Sequence, residues 1–201
     1  MNYLAHIYLS GENPRIRIGN FMGDGIRGKD YLHFHPDIQI GIRLHREIDT
    51  FTDFHPIFRQ SKHRLVPYHN HFSGIIVDMF YDHFLATHWE LYHHESLGIF
   101  AHKFYNSLSE FHPELNQKTK SIAPYLIKYN WLERYQSLTD LESILGQMDK
   151  RFSFPSNMKD SVELLHNNYE EFQNEFVKFF NELMIFSDAK REEISKEIYK
   201  K

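Results

Sequence analysis

The sequence predicts an all-α protein, a helical bundle in a single domain over residues 1–201, on three observations. Turn formers are sparse: 9 glycines and 7 prolines stand in 201 residues, below the roughly 12% average. No stretch keeps the two-residue apolar alternation of a half-buried strand, and no Asn-Gly or Asp-Gly turn joins such runs. Apolar residues recur instead at helical spacing. One domain suits this length, since a core of that size buries about 70% of the unfolded surface.

Taken in order, residues 2–9 form a short apolar segment with Asn2 as its cap and His6 inside it. Residues 14–28 carry Pro14, Gly19, Gly23, Gly25 and Gly28, which predicts a short helix followed by bends. Pro36 to Thr52 is a helix, with Ile38, Ile42, Leu44, Ile48 and Phe51 near helical spacing. Phe72 to Glu90 is apolar on most sides, as expected of a helix in the middle of a bundle. Further helices are predicted over 97–110, 114–129, 138–151 and 158–186, with Pro113, Pro124 and Pro155 as boundaries or kinks. The charged segment 190–201 is expected to be a solvated final helix that frays.

Composition narrows the chemistry. There is no cysteine, which excludes disulfides, thiolate nucleophiles and cysteine-ligated zinc or iron–sulfur sites. No run of 18 apolar residues occurs, and the start lacks the cationic and apolar regions of a signal peptide, so a soluble, cytoplasmic protein away from membranes is expected. A net charge of -4 argues against a general nucleic-acid binder. Histidine is frequent, at 15 residues, 12 of them in the first hundred.

Those histidines fall beside acids. His45, Asp49 and Asp53 follow one another at four-residue steps, which advance a helix by about 400° and leave the three on one face. Asp78 and Asp82 repeat that spacing in an otherwise apolar helix, with His83 next to the second acid. Two carboxylates on one buried face resist desolvation unless a cation serves both. Such oxygen-and-imidazole sets suit Mn, Fe, Mg or Zn. His-Glu-x-x-His is absent, as is a Gly-Lys-Ser/Thr phosphate loop. Asp24 lies between Gly23 and Gly25, where small neighbours allow the backbone close to a ligand, and Arg27 follows three residues on. Packing alone is the competing account, with Arg43 and Arg46 neutralising the acids and the histidines serving the core.

Four ordered motifs carry a resemblance: Met-Asn-Tyr-Leu-Ala-His at the start, Gly-Asn-x-x-x-Asp ending at Asp24, Gly-Ile-Arg-Leu-His-Arg-Glu-Ile-Asp ending at Asp49, and Asp-x-x-x-Asp-His-Phe-Leu from Asp78. Asn130-Trp131-Leu132 with Arg134-Tyr135 add a weaker match. Together they resemble the acyl carrier protein phosphodiesterases over nearly the whole chain. The resemblance implies a cytoplasmic, divalent-metal-dependent hydrolase, with Mn or Mg, that removes 4′-phosphopantetheine from holo-acyl carrier protein. It implies a distant kinship with the all-α His-Asp metal phosphohydrolases, although the pair Asp82-His83 reverses their His-Asp order. The family's functional acid maps onto Asp24.

By extension from spacing, His6, Asp24, Asp49, Asp78 and Asp82 are the expected metal ligands. Asp24, His45 and His83 are the expected catalytic groups. Arg27, Arg43 and Arg46 are expected to meet phosphate or an acidic carrier protein. Two other readings stand beside this one: a metal phosphohydrolase of nucleotides or small phosphodiesters, and a non-catalytic helical module that binds a partner protein.

Overall fold

The computed structural model describes residues 2–150 and 156–200, and it is all-α, with no strand among those residues. Helix α1 (Tyr3–Leu9) is capped by the Asn2 side chain, which accepts from the Tyr3 N–H, and α2 (Pro14–Met22) by Asn13. Turns of 3₁₀ helix at Gly23–Gly25 and Asp30–His33 lead into α3 (Pro36–Phe54). There follow α4 (Pro56–His69), α5 (Ser73–Thr87), α6 (Leu97–Glu110), α7 (Gln117–Lys128), α8 (Trp131–Arg134), α9 (Leu138–Asp149), α10 (Ser161–Asn167) and α11 (Tyr169–Tyr199).

Helix α5 sits at the centre, with Ile76, Val77, Met79, Phe80, Tyr81, Phe84 and Leu85 fully enclosed. Its rings meet those of α11: Phe80 stands 5.3 Å from Phe172, and Tyr81 5.5 Å from Phe176, both edge to face. The buried apolar residues form one continuous cluster. A buried ion pair fastens α4 to α11, where both Arg64 amino groups donate to Glu175 at 2.7 and 2.8 Å. Gln60 and Ser61 supply further donors to the same carboxylate. No helix among the described residues is long and apolar enough to cross a membrane.

Three expectations change. Residues 53–71, which the sequence reading passes over, hold α4, started by His55 as cap and Pro56 in the first turn. The helix expected over 158–186 is interrupted at Asn168. Its second part continues through the charged tail, which does not stand off in solvent. Ile194 is buried there. Arg191 donates to the Leu9 carbonyl at 3.0 Å, Glu197 accepts from Arg43 at 2.6 Å, and Tyr199 donates to Asp37. The tail is thereby packed along α3. Pro155 and Arg151, the expected boundary and helix end, lie outside the described residues.

The α2–α3 crossing positions the site. A Cβ at Gly19 would collide with the Ile38 carbonyl, and one at Gly41 with the Ile16 carbonyl and the Asn20 N–H. Two backbones thus touch where any larger residue would force them apart. Gly41→Ala is expected to destabilise the protein by about 1–3 kcal/mol, the range for overpacking a close contact. Gly74→Ala, where the nearest atom is Lys62 Cε at 4.0 Å, should instead stabilise by up to about 1 kcal/mol through helix propensity. Chemical denaturation of the two variants beside the parent checks both signs.

Candidate functional site

Three short-range consequences of that crossing bring five side chains together. Asn20, buried on α2, faces α1, and its Oδ1 lies 2.7 Å from His6 Nδ1. Gly23 presses its backbone onto the His45 ring, where a Cβ could not fit. Asp24 follows at once and reaches His45 Nε2 at 3.2 Å. On α3 itself, one turn separates His45 from Asp49, and the Nε2–Oδ2 distance is 3.0 Å. Asp49 Oδ1 is 3.2 Å from His6 Nε2. The two imidazoles stack with centroids 4.1 Å apart.

Donor directions fix what His6 presents. Asn20 Nδ2 donates to Ser10 Oγ at 2.9 Å, and that hydroxyl donates to the His6 carbonyl at 2.7 Å. Asn20 Oδ1 is therefore the acceptor, and His6 Nδ1 must carry the proton. In a neutral ring Nε2 is then an acceptor, buried without a hydrogen-bond donor and directed at Asp49. An imidazole held through one nitrogen and bare at the other is the usual condition of a metal ligand.

Electrostatics keep that state. Burial and the neighbouring His45 lower His6 to a pKa of about 4, against the pull of Asp49. Burial opposes charge on His45 too, but the carboxylates of Asp24 and Asp49 overcome it and push its pKa up to about 9. Asp49, raised by burial but lowered more by His45 and His6, lies well below the usual carboxylate range. The hydrogen bond from His45 lowers Asp24 in the same way.

One nitrogen each from His6 and His45 and one Asp49 oxygen lie within 4.8 Å of one another. They open into a cavity of about 390 Å³, also lined by Asp24, Thr52, Asp53, Ile75 and Asp78. Two nitrogens and a carboxylate oxygen around one point fit a divalent first-row transition metal. The unpaired Nε2 of His6 is the observation that makes the set more than a cluster of acids.

The structure brings His6, Asp24, His45, Asp49 and Asp78 to this cavity, Asp78 with its pKa raised by burial. It does not bring Asp82 or His83. Asp82 is fully buried and accepts from the Leu4 and Ala5 N–H groups at 2.8 and 3.2 Å, closing the start of α1. Backbone donors occupy this acid in place of a cation, and burial outweighs them and raises its pKa to about 7. His83 Nδ1 lies 2.7 Å from the Tyr135 carbonyl and Nε2 3.0 Å from the Tyr169 hydroxyl, so both nitrogens are engaged in joining helices.

Arg46 donates to the carbonyls of Gly28 and Ile26 at 2.9 and 3.0 Å, holding the loop behind Asp24. Arg43 is taken by Glu197. Neither arginine neutralises the acids; protonated His45 does. Arg27 is exposed and lines neither cavity that holds Asp24. Lys118 of α7, which sequence reasoning did not select, shares a notch with Asp24 and lowers its pKa through its charge. Asn20 was present in a quoted motif but had no role; the side chain that explains it, His6, is fourteen residues away.

Comparison with known proteins agrees with this order of motifs. The profile of the family described as acyl carrier protein phosphodiesterase matches residues 1–183. The chain belongs to that family. It is similar to the acyl carrier protein phosphodiesterase of Photorhabdus laumondii, at 31% identity over 92% of this chain and 93% of that one. The proteins of the same name from Serratia proteamaculans and Yersinia pestis are 29% and 28% identical, each over 92% of this chain and 96% of their own. No solved structure matches the chain.

In the metal-free protein the two histidines tie stability to pH in opposite senses. As pH falls from 6.5 toward 4, the unfolded chain takes up a proton that folded His6 refuses, and stability is lost. The His45 contribution is fully present below pH 6.5 and is lost as pH rises through about 9. Each limb has a slope of at most about 1.4 kcal/mol per pH unit. Burial raises Asp82 to about 7 and raises Asp78 too, which offsets His6 on the acid side, so urea denaturation of chelator-treated protein should show the alkaline loss between about pH 7.5 and 9. His45→Gln should flatten the alkaline limb, and an unchanged limb would contradict the assignment.

Proposed function

We propose that this chain is a cytoplasmic, single-domain hydrolase that cleaves the phosphodiester of holo-acyl carrier protein and releases 4′-phosphopantetheine and the apo protein. What carries the reading is the unpaired Nε2 of buried His6, facing Asp49 and His45, in a chain of this family. His6, His45 and Asp49 would hold a divalent cation, Mn or Mg. A bound cation of this kind supplies Lewis acidity at a phosphoryl oxygen and lowers the pKa of water.

The side chains divide the remaining work. Asp24, exposed at the mouth and held anionic by His45, orients the attacking water and takes its proton. The water oxygen bonds to phosphorus, the bond from phosphorus to the carrier serine breaks, and the serine oxygen leaves with the proton that Asp24 took from the water. Lys118, whose charge already acts on Asp24, stands where it can neutralise the phosphate. His45 faces the site through Nε2 alone, with Nδ1 buried, so it serves as ligand and not as the proton shuttle. Asn20 acts through His6 as a positioning residue. Asp78 stays in reserve as an acid of the cavity wall, while Asp82 and His83 hold the fold together.

Mass spectrometry of holo-acyl carrier protein incubated with this protein tests the reading. The phosphopantetheine mass should be lost with Mn and retained with chelator. No change in either condition, with folded and metal-loaded protein, would favour a nucleotide or small phosphodiester substrate. Asp24→Ala should abolish turnover while helical circular dichroism is kept. Asn20→Ala should weaken Mn binding by about 10- to 100-fold, as loss of a ligand's supporting partner does.

A further inference from the structure

A phosphodiester has two arms, and the cavity at His6, His45 and Asp49 accounts for the phosphate alone. On the other side of the Asp24–Gly25 backbone lies a larger cavity of about 580 Å³. Its walls come from the loop after α2 and the loop before α7, with Ile26, Phe34, Pro113 and Leu115 as apolar surface and Asp30 and Asn116 among the polar groups. Volumes of about 300–1,000 Å³ with apolar walls and a few placed polar groups are typical of small-molecule sites.

We propose that this second cavity holds the pantetheine arm of the substrate, an inference that rests on the hydrolase reading above. The arm is a linear, uncharged chain with two amides, a hydroxyl and a branched apolar carbon; the apolar walls suit its hydrocarbon parts, and Asp30, His33, His35, Glu114 and Asn116 offer polar groups to its amides and hydroxyl. Continuity with the phosphate site is built in at residue 25, where glycine leaves bare backbone between Asp24 and the cavity; a Cβ there would press on Asn116 Nδ2. That nitrogen is a buried donor without a partner, while Asn116 Oδ1 is occupied in capping α7 at 2.8 Å. A flat heterocycle fits less well, because the rings of His33 and Phe34 lie 4.2 Å from each other and leave no slot between them.

The test uses phosphate-free pantetheine as probe, with Phe34→Ala to strip the wall and Pro113→Trp to fill the mouth. Calorimetry should detect pantetheine binding to the parent protein and at least fivefold weaker binding to each variant. The KM for holo-acyl carrier protein should rise by at least fivefold in both. Hydrolysis of holo-carrier with no pantetheine binding, or with variant KM values within twofold of the parent, would overturn the arm site and leave the hydrolase reading intact. Pantetheine binding that the variants weaken, in a protein that leaves holo-carrier untouched, would support the cavity and overturn the hydrolase reading. Binding of adenosine in place of pantetheine would overturn the arm site.

Discussion

Where α2 crosses α3, Gly19 lies against the Ile38 carbonyl and Gly41 against the backbone of Ile16 and Asn20. That approach sets the position of every other group in the site. It slides Asn20 under His6, brings Gly23 onto the His45 ring and leaves Asp24 at the lip of the cavity. Side chains at the crossing would hold the helices at the usual 8–10 Å separation and pull these partners out of hydrogen-bond reach. The glycines at 19, 23 and 41 are required for space, not for unusual backbone angles, since positive φ among glycines is confined to Gly11 and Gly28.

Within that frame the electrostatics are self-consistent. Two acids and two imidazoles meet with little help from arginine. His45 takes up the charge of Asp24 and Asp49, while His6 is kept neutral by burial and by its neighbour. A cation bound there would replace the His45 proton as the positive charge between the carboxylates, which ties metal binding to proton release. The appended tail contributes from outside: through Glu197 and Tyr199 it fastens α3, the helix that carries both His45 and Asp49.

Much of this was legible in the sequence. Period and capping identify most helices, and the four-residue step from His45 to Asp49 translates directly into a 3.0 Å contact. His6 and Asp24 were selected because they sit in motifs, and both arrive. Local spacing fails where partners are distant in sequence. Asp78 and Asp82 share a helical face, yet only the first lines the cavity, because the start of α1 claims the second with two backbone donors. His83 looked chemical beside an acid, but carbonyl and hydroxyl partners 52 and 86 residues away occupy it. Arg43 and Arg46 point outward to Glu197 and to loop carbonyls. The charged tail reads as solvated by composition, and its contacts with α1 and α3 need the three-dimensional path to be seen.

The proposed hydrolysis depends on one metal centre that His6 Nε2, His45 and Asp49 would hold. Anomalous diffraction at the manganese edge from crystals grown with Mn tests it most directly. The predicted result is a single strong peak about 2.0–2.3 Å from His6 Nε2 and an Asp49 oxygen. A peak at Asp82 and His83, or none beside His6 in protein that hydrolyses its substrate with Mn, would contradict it.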